Sequence, residues 1–286
     1  MQDALFGVVC LDHYTTSGVV RPGCGILHNA YHLRQLGYDP LLITRIGDMN
    51  GEPVVDFLQR HQIRTTAGFA APGTTAAIDI TLLDNGEAQI GNFRAGVWDN
   101  FHLTPAEEEQ LAGAHHLHLV MVGRTVDEYL RLRQAGRLAK TFVSADFLAR
   151  QDFSVERLVT LLALVDLAFI GWQGRVDDPQ LAAIGQAALD AGMLLVVTLG
   201  AQGAVVYDGT NPGLAHPQFF PVTPEPVRGS TNGCGDAFIS YFLAEYWRSH
   251  NLAQAMATGQ TGGALATQWR LALPDAAYGE RPANNT

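Results

Sequence analysis

GSTNGCGDAFISYFLAEYW, Gly229 to Trp247, sets Gly229, Gly233 and Gly235 around one cysteine and one aspartate, Asp236, and then runs into apolar residues. Ala237, Phe238, Tyr241, Phe242 and Ala244 recur at the spacing of one helix face, which predicts a helix beginning close to Gly235. The N–H groups at such a start have no partner inside the helix, and here they point back into the glycine loop. Gly233 and Gly235 allow positive φ and a close approach to an anion, while the helix dipole favours negative charge at that place. Two readings follow. In one, the turn cradles a phosphate without a lysine and Asp236 works on what lies beside it. In the other, Asp236 only stabilises its own helix dipole, by about 0.3–1 kcal/mol. The physics of the turn alone gives them equal weight.

The rest of the chain narrows the chemistry. Its 286 residues suffice for one large core, and a hydrophobic content of 47% excludes a disordered protein. A formal charge of −10 would repel nucleic-acid phosphates, so small-molecule chemistry is the better expectation. The N-terminal MQDALFGVVCL has no basic residue before its apolar run and does not read as a secretory signal. The apolar run Leu158–Trp172 is interrupted by Asp166 and is too short to span a bilayer. Three cysteines without a CxxC pair fit a reducing compartment and predict no disulfide framework, so the expected location is the cytoplasm.

Short β-type runs alternate with helical runs, the mark of an α/β fold. Predicted strands are Leu5–Leu11, Leu41–Ile46, Leu117–Val120, Thr141–Ala145, Leu167–Ile170, Leu194–Leu199 and Ala204–Tyr207, several of them unbroken apolar runs as buried parallel strands require. Thr104-Pro105-Ala106-Glu107 is a capping box with proline at the first helical position, and Asp178-Pro179 opens another helix similarly. Ala76–Arg94, AAIDITLLDNGEAQIGNFR, reads instead as two strands around Asp84-Asn85-Gly86, a small antiparallel insertion on the main sheet. The last residues, YGERPANNT, read as a frayed tail.

Other phosphate-binding motifs are excluded or weak. The one lysine, Lys140, follows an alanine, so no GxxxxGK[ST] loop exists. Gly23-Cys24-Gly25-Ile26-Leu27-His28 carries the first two glycines of a dinucleotide fingerprint without the third, which disfavours a nicotinamide dehydrogenase. His115, His116 and His118 lie close together without an acidic or cysteine ligand nearby in sequence, which argues against a metal site.

GCGDAF at Gly233–Phe238 resembles the GAGDAF signature of the ribokinase-like (PfkB) carbohydrate kinases, and the chain is similar to members of the fructoselysine kinase type. The resemblance runs along most of the sequence. Asp12 in GVVCLDHY matches the family's acidic residue that holds substrate hydroxyls, Gly47-Asp48-Met49-Asn50-Gly51 matches its GDDxxG stretch, and Val197-Thr198-Leu199-Gly200 with Gly203 matches its TLGxxG nucleotide loop. It implies a single α/β domain over 1–286, a three-layer sandwich with a mainly parallel central sheet and a β-hairpin lid at about 74–94. It implies Asp236 as catalytic base and Gly233, Cys234 and Gly235 as the anion hole. Substrate would be held by Asp12 and Gly23, and nucleotide by Thr198, Gly200 and Gly203. Read from their chemistry, His28 either hydrogen-bonds a sugar hydroxyl or caps a partly buried helix face, and Arg94 either clamps a charged part of the substrate or is a solvated lid arginine. ATP and Mg²⁺ are the implied cofactors.

The departures matter too. The family usually reads Asp-Thr before its Gly-Ala-Gly-Asp, and here Ser230 stands at the Asp position and Cys234 at the alanine. The substrate-binding Asn after the first glycine pair is replaced by His28; Asn29, one position on, should face elsewhere on its helix. The Asn-x-x-Glu element that helps organise magnesium is absent from GWQGRVDD after Ile170, so no metal ligands are assigned. The expected function is ATP-dependent phosphorylation of a hydroxyl on a sugar or sugar derivative, a sugar-amine such as fructoselysine included. The alternatives are a non-catalytic sugar- or nucleotide-binding relative and a nucleoside kinase. Alternating Ile78, Ile80 and Leu82 predict a homodimer formed through the lid.

Overall fold

The structure is a computed structural model that describes residues 2–149, 152–211, 213 and 216–280, so the end of the expected frayed tail, 281–286, lies outside the described residues. The chain divides into two compact units, Ala4–Glu107 with Glu225–Thr286, and Glu108–Pro224.

The first unit opens with β1 (Gln2–Phe6), β2 (Cys10–Tyr14), β3 (Val19–Gly23), α1 (Gly25–Gln35), β4 (Leu41–Ile43), β5 (Ile46–Gly47), α2 (Glu52–Arg60), β6 (Arg64–Thr65), β7 (Ala70–Ala71), β8 (Ala76–Leu82) and β9 (Ala88–Arg94). β1, β4 and β6 run parallel, with Leu5 opposite Leu42; β4 and the Ala4–Phe6 part of β1 are buried and apolar, while β6 is a short polar edge strand. The predicted strand Leu5–Leu11 is in fact two. β1 ends at Phe6 and β2 begins at Cys10 in a different sheet, yet Val8 and Val9 between them are as buried as the strands themselves. Hydropathy alone therefore could not find the break. Asp12 consequently stands in the middle of β2 and not at the end of a parallel-sheet strand.

The insertion is also more than a hairpin. β8 and β9 pair antiparallel around the Asp84–Gly86 turn as the sequence predicts, but β8 pairs in parallel with β2, and β2 with β3, giving the sheet order β3-β2-β8-β9. Ile80 is buried with Tyr14 and Leu271, and Ile78 and Leu82 pack against them. Ile80 is thus buried inside the chain and Ile78 and Leu82 are partly buried, while Ile90 and Phe93 of β9 are exposed. The turn is docked as well: Thr231 N–H donates to the Gly86 carbonyl at 2.8 Å and Ala88 N–H to Thr231 Oγ1 at 3.3 Å.

α3 (Pro105–Ala112) starts as its capping box predicts, with Thr104 N–H donating to Glu107 Oε2 at 2.9 Å and Glu107 N–H to Thr104 Oγ1 at 3.3 Å. In the second unit, β10 (Ala114–Val120), α4 (Arg124–Gln134), β11 (Phe142–Ala149), α5 (Val155–Leu162), β12 (Leu167–Gly171), α6 (Pro179–Asp190) and β13 (Leu194–Thr198) alternate as successive parallel βαβ units. β14 (Ala204–Asp208) and β15 (Gln218–Phe220) complete that sheet antiparallel. Asp178 caps α6 by accepting from Gln180 N–H at 2.9 Å, ahead of Pro179. The chain then returns to the first unit for α7 (Cys234–Ser249) and α8 (Leu252–Ala266). No helix among the described residues is long and apolar enough to cross a membrane.

One further expectation is corrected. Cys10 and Cys24 are joined as a disulfide, with Cα atoms 5.3 Å apart, while Cys234 is free. Fourteen residues separate the pair in sequence. The antiparallel pairing of Cys10 with Gly23 brings them together, a long-range register that cysteine spacing does not reveal.

Candidate active site

α7 begins at the glycine turn, as its apolar spacing predicts. Gly233 is its N-cap at φ 78, and a Cβ there would lie 2.5 Å from the Ala272 carbonyl oxygen, so the position needs glycine twice over. Gly235 is the reverse case, since a Cβ there would meet nothing within 4 Å. The turn is thus closed behind and open in front. Cys234 N–H turns inward to the Thr231 carbonyl at 3.3 Å, while no backbone carbonyl accepts from Gly233 or Gly235 N–H among the described residues. Those two groups point where a helix start attracts an anion. Burial, followed by the nearby Asp236 charge, pushes the Cys234 thiol up to about 12, so it stays protonated and apolar.

Asp236 in the first turn meets α1. His28 Nδ1 lies 2.7 Å from Asp236 Oδ2, and His28 Nε2 lies 3.8 Å from Asp12 Oδ2. Three groups from β2, α1 and α7, 224 positions apart in sequence at the extremes by subtraction of 12 from 236, therefore form one row. Asp12 and His28 are each 2% exposed, while the Asp236 side chain keeps 16% exposure. Burial is the main cause that raises the Asp12 carboxyl to about 7; the His28 ring moderates it, the Asp236 charge adds to it, and a Cys24 backbone hydrogen bond opposes it. For His28, burial pulls downward, but the hydrogen bond and charge of Asp236, with the charge of Asp12, outweigh it and leave the ring above its usual range. Asp12 Oδ1 and His28 Nε2 are buried without a hydrogen-bond partner. Such atoms cost free energy unless something fills the space beside them.

Gly23 belongs to this site for a steric reason. A Cβ on it would fall 1.9 Å from Asp12 Oδ2. Asn29 faces away, as its place on the helix predicts, accepting from Ser240 Oγ of α7 at 3.0 Å. Tyr14 and Asn232 were not picked out from the sequence. Asn232 Nδ2 donates to Tyr14 Oη at 3.0 Å, and Ala272 N–H does so at 3.2 Å, which ties β2 to the loop before α7. Tyr14 lies two residues beyond Asp12 on the same strand face, the one signal that pointed to it.

Arg94, at the end of β9, is bound to Asp79 of β8 at 2.6 Å and to the Asn92 carbonyl at 2.8 Å, and its side chain is 48% exposed. Asp48 accepts from Gly73 N–H at 3.0 Å and Asn50 from Thr75 N–H at 2.7 Å, so the Gly47–Gly51 stretch braces the segment leading into β8. In the second unit, Thr198 ends β13, and Leu199 N–H donates to the Gly203 carbonyl at 2.8 Å across a turn containing Gly200. A Cβ on Gly203, at φ 109, would lie 2.3 Å from the Phe220 carbonyl oxygen, whereas one on Gly200 would meet nothing within 4 Å.

A family model for "pfkB family carbohydrate kinase" matches residues 29–274. The chain belongs to this family. It is a carbohydrate kinase, with ATP as the family's phosphoryl donor. Fructoselysine 6-kinase of Shigella flexneri is 29% identical over 268 residues, 93% of this chain and 97% of the relative, and that of Escherichia coli (strain K12) is 28% identical over the same span. Among solved structures, a ribokinase from Giardia lamblia superposes with a TM-score of 0.77 at 13% identity, covering 97% of this chain and 95% of that one. A microbiome-derived acarbose kinase gives 0.74 at 20% identity, with 94% and 93% covered. These structural likenesses establish the ribokinase-like fold.

The kinase also brings one cluster together in the second unit. Asp3, which groups with the second unit, accepts a hydrogen bond from His116 Nδ1 at 2.9 Å, and the ligand atoms of Asp3, His115 and His116 lie within 4.8 Å of one another. No acidic residue is near these histidines in sequence, and Asp3 reaches His116 only from 113 positions away. His118 instead meets Ser144 Oγ at 3.0 Å.

Proposed function

We propose that this carbohydrate kinase transfers the γ-phosphoryl group of ATP to a hydroxyl of a sugar derivative carrying a charged substituent, a glycated amino acid such as fructoselysine being the leading candidate. The observation that carries the reading is the row Asp12–His28–Asp236 at the mouth of the α7 glycine turn, with unpartnered polar atoms on Asp12 and His28. In this reading Asp236 accepts the proton of the attacking hydroxyl, and the N–H groups of Gly233 and Gly235 face the developing charge, while the expected Cys234 N–H is taken by the Thr231 carbonyl. Asp12 Oδ1 and His28 Nε2 bind neighbouring hydroxyls, and Gly23 keeps the Asp12 carboxylate in place. Thr198, Gly200 and Gly203 receive the nucleotide, Gly200 having open space above it. Arg94 would exchange Asp79 for an anionic group of the substrate, a swap its exposure permits. Relatives named fructoselysine 6-kinase support the substrate class.

Magnesium fits this chain's residues poorly as a resident ion. Ser230, where the family has a carboxylate, contributes only a buried hydroxyl without a partner, and Mg²⁺ sites usually use one or two carboxylates with substrate phosphates. We take Mg²⁺ to arrive as part of the nucleotide substrate, MgATP. The whole chain, 1–286, is read as one catalytic domain with the 74–94 hairpin as lid, working in the cytoplasm where ATP is supplied. A homodimer through β9, with Ile90 and Phe93 as its exposed apolar residues, goes with this reading, and sedimentation showing only monomer at micromolar concentration rejects it.

The test is ADP release, with product mass, across glycated amino acids, plain sugars and nucleosides. Phosphorylation of a glycated amino acid, lowered in Arg94→Ala chiefly through KM, is the expected result. Turnover of plain sugars or nucleosides alone rejects the charged-substituent class, and no turnover of any substrate rejects catalysis.

A further inference from the structure

His28 stands where the family carries asparagine, and its ring is not free to act on substrate alone. Its Nδ1 is 2.7 Å from Asp236 Oδ2, and at this distance an ionised carboxylate only accepts, so Nδ1 must carry the proton. The neutral ring then has its lone pair on Nε2, buried and unpartnered, 3.8 Å from Asp12 Oδ2. Asn29 and Ser240 lock α1 to α7 one residue along, and Ser240 Oγ also returns to the Asp236 carbonyl at 2.7 Å. The imidazole is therefore fixed on both its helix and its partner's helix.

Resting on the kinase reading above, we propose that His28 is a positioning residue for the base: through Nδ1–H it holds one oxygen of Asp236, so that the other is turned to the reacting hydroxyl. A carboxylate on the first turn of a helix otherwise has free rotamers and a competing attraction to its own helix N–H groups, and a base that is misplaced by about 1 Å can lose on the order of a hundredfold in rate. One imidazole thus links substrate recognition to base orientation. A hydroxyl that donates to Nε2 keeps the proton on Nδ1, and that is the tautomer that holds Asp236. No proton need move along the row; Asp236 alone accepts the hydroxyl's proton as the O–P bond forms.

Asparagine and glutamine separate the two ring nitrogens, since an Asn amide nitrogen falls near the place of Nδ1 and a Gln amide nitrogen near that of Nε2. The expected result is that His28→Gln lowers kcat at least about tenfold with KM changed less than about threefold, and that His28→Asn recovers most of the lost kcat. A purely substrate-binding histidine gives the opposite pattern, kcat kept in both variants with KM raised in His28→Asn and largely kept in His28→Gln, and overturns the proposal. Independently of turnover, ¹⁵N NMR of the imidazoles, assigned by the signal missing in His28→Asn, should show neutral His28 protonated on Nδ1, with a downfield Nδ1–H proton that disappears in Asp236→Asn. A neutral His28 protonated on Nε2, or a signal indifferent to Asp236→Asn, overturns it even if a variant fails to fold. Absence of kinase activity in the wild-type protein with this NMR signature present would strike the functional reading and leave the pairing standing.

Discussion

The tripeptide Gly-Cys-Gly occurs twice, at 23–25 and at 233–235, and each copy opens a helix of the first unit. Three residues after the last glycine of the first copy stands His28, three residues after the first glycine of the second stands Asp236, and these two side chains meet at 2.7 Å. The likeness ends there. Before α1 the turn is filled: Gly23 lies against the Asp12 carboxylate, and Cys24, at φ 71, is tied to Cys10. Before α7 the turn is open, with free space over Gly235 and a free, protonated thiol at Cys234. The lesson is that a glycine turn at a helix start is a binding site only when nothing of the protein's own fills it.

The sharpest way to break this contrast is to add one methyl group to each turn. Gly23→Ala puts a Cβ where Asp12 Oδ2 now sits, and it should cost at least about a hundredfold in kcat/KM by displacing the carboxylate proposed to bind substrate hydroxyls. Gly235→Ala adds its methyl to open space on a helix, so stability should hold or rise by up to about 1 kcal/mol while anion binding suffers. Equal stability losses in chemical unfolding of both variants would erase the distinction between filled and open turns.

The cysteines give the next test. Opening a cross-link of this span costs about 3 kcal/mol in the chain-entropy account, so Cys24→Ser should destabilise the oxidised protein by about 2–3 kcal/mol and have much less effect in reductant. Cys234→Ala, at a position where the family has alanine, should change stability by less than about 1 kcal/mol in either condition. Urea midpoints with and without reductant check both. Redox-independent losses for Cys24→Ser would mean that the pair is not cross-linked in solution.

Between the two turns lies the buried row itself. Asp12 and His28 both hold protons more tightly than in an unfolded chain, Asp12 at about 7 against 3.8. A raised folded-state pKa adds stability that is complete below the unfolded value and lost as pH rises through the folded one. The melting temperature should therefore fall between pH 6 and 8, and Asp12→Asn should flatten that slope. A melting temperature that rises over this window contradicts the burial of Asp12.

Much of this was legible in the chain. The α7 start, the Thr104–Glu107 box and the βαβ alternation depend on neighbours within a few residues, and sequence shows such neighbours directly. What stayed hidden was set by distant register. Nothing near Leu5–Leu11 distinguishes a strand that breaks at Phe6 from one that continues, because both halves are buried and apolar. Cys10 meets Cys24, and Asp3 meets His116, only after strands have paired. His28 could be named as a site residue from its place after the glycines, but its bond to Asp236 needed two helices brought side by side.

The central claim is that Asp236 acts as a base and not as a helix-start charge. A general base contributes about 10²–10⁴-fold to rate, whereas a helix-dipole carboxylate contributes under about 1 kcal/mol to stability and nothing to turnover. Turnover, nucleotide binding and melting temperature of Asp236→Asn should be measured on one preparation. The account predicts kcat lowered at least about a hundredfold, with the fold retained and nucleotide affinity similar or tighter. An Asn variant that phosphorylates substrate at near the wild-type rate would contradict it.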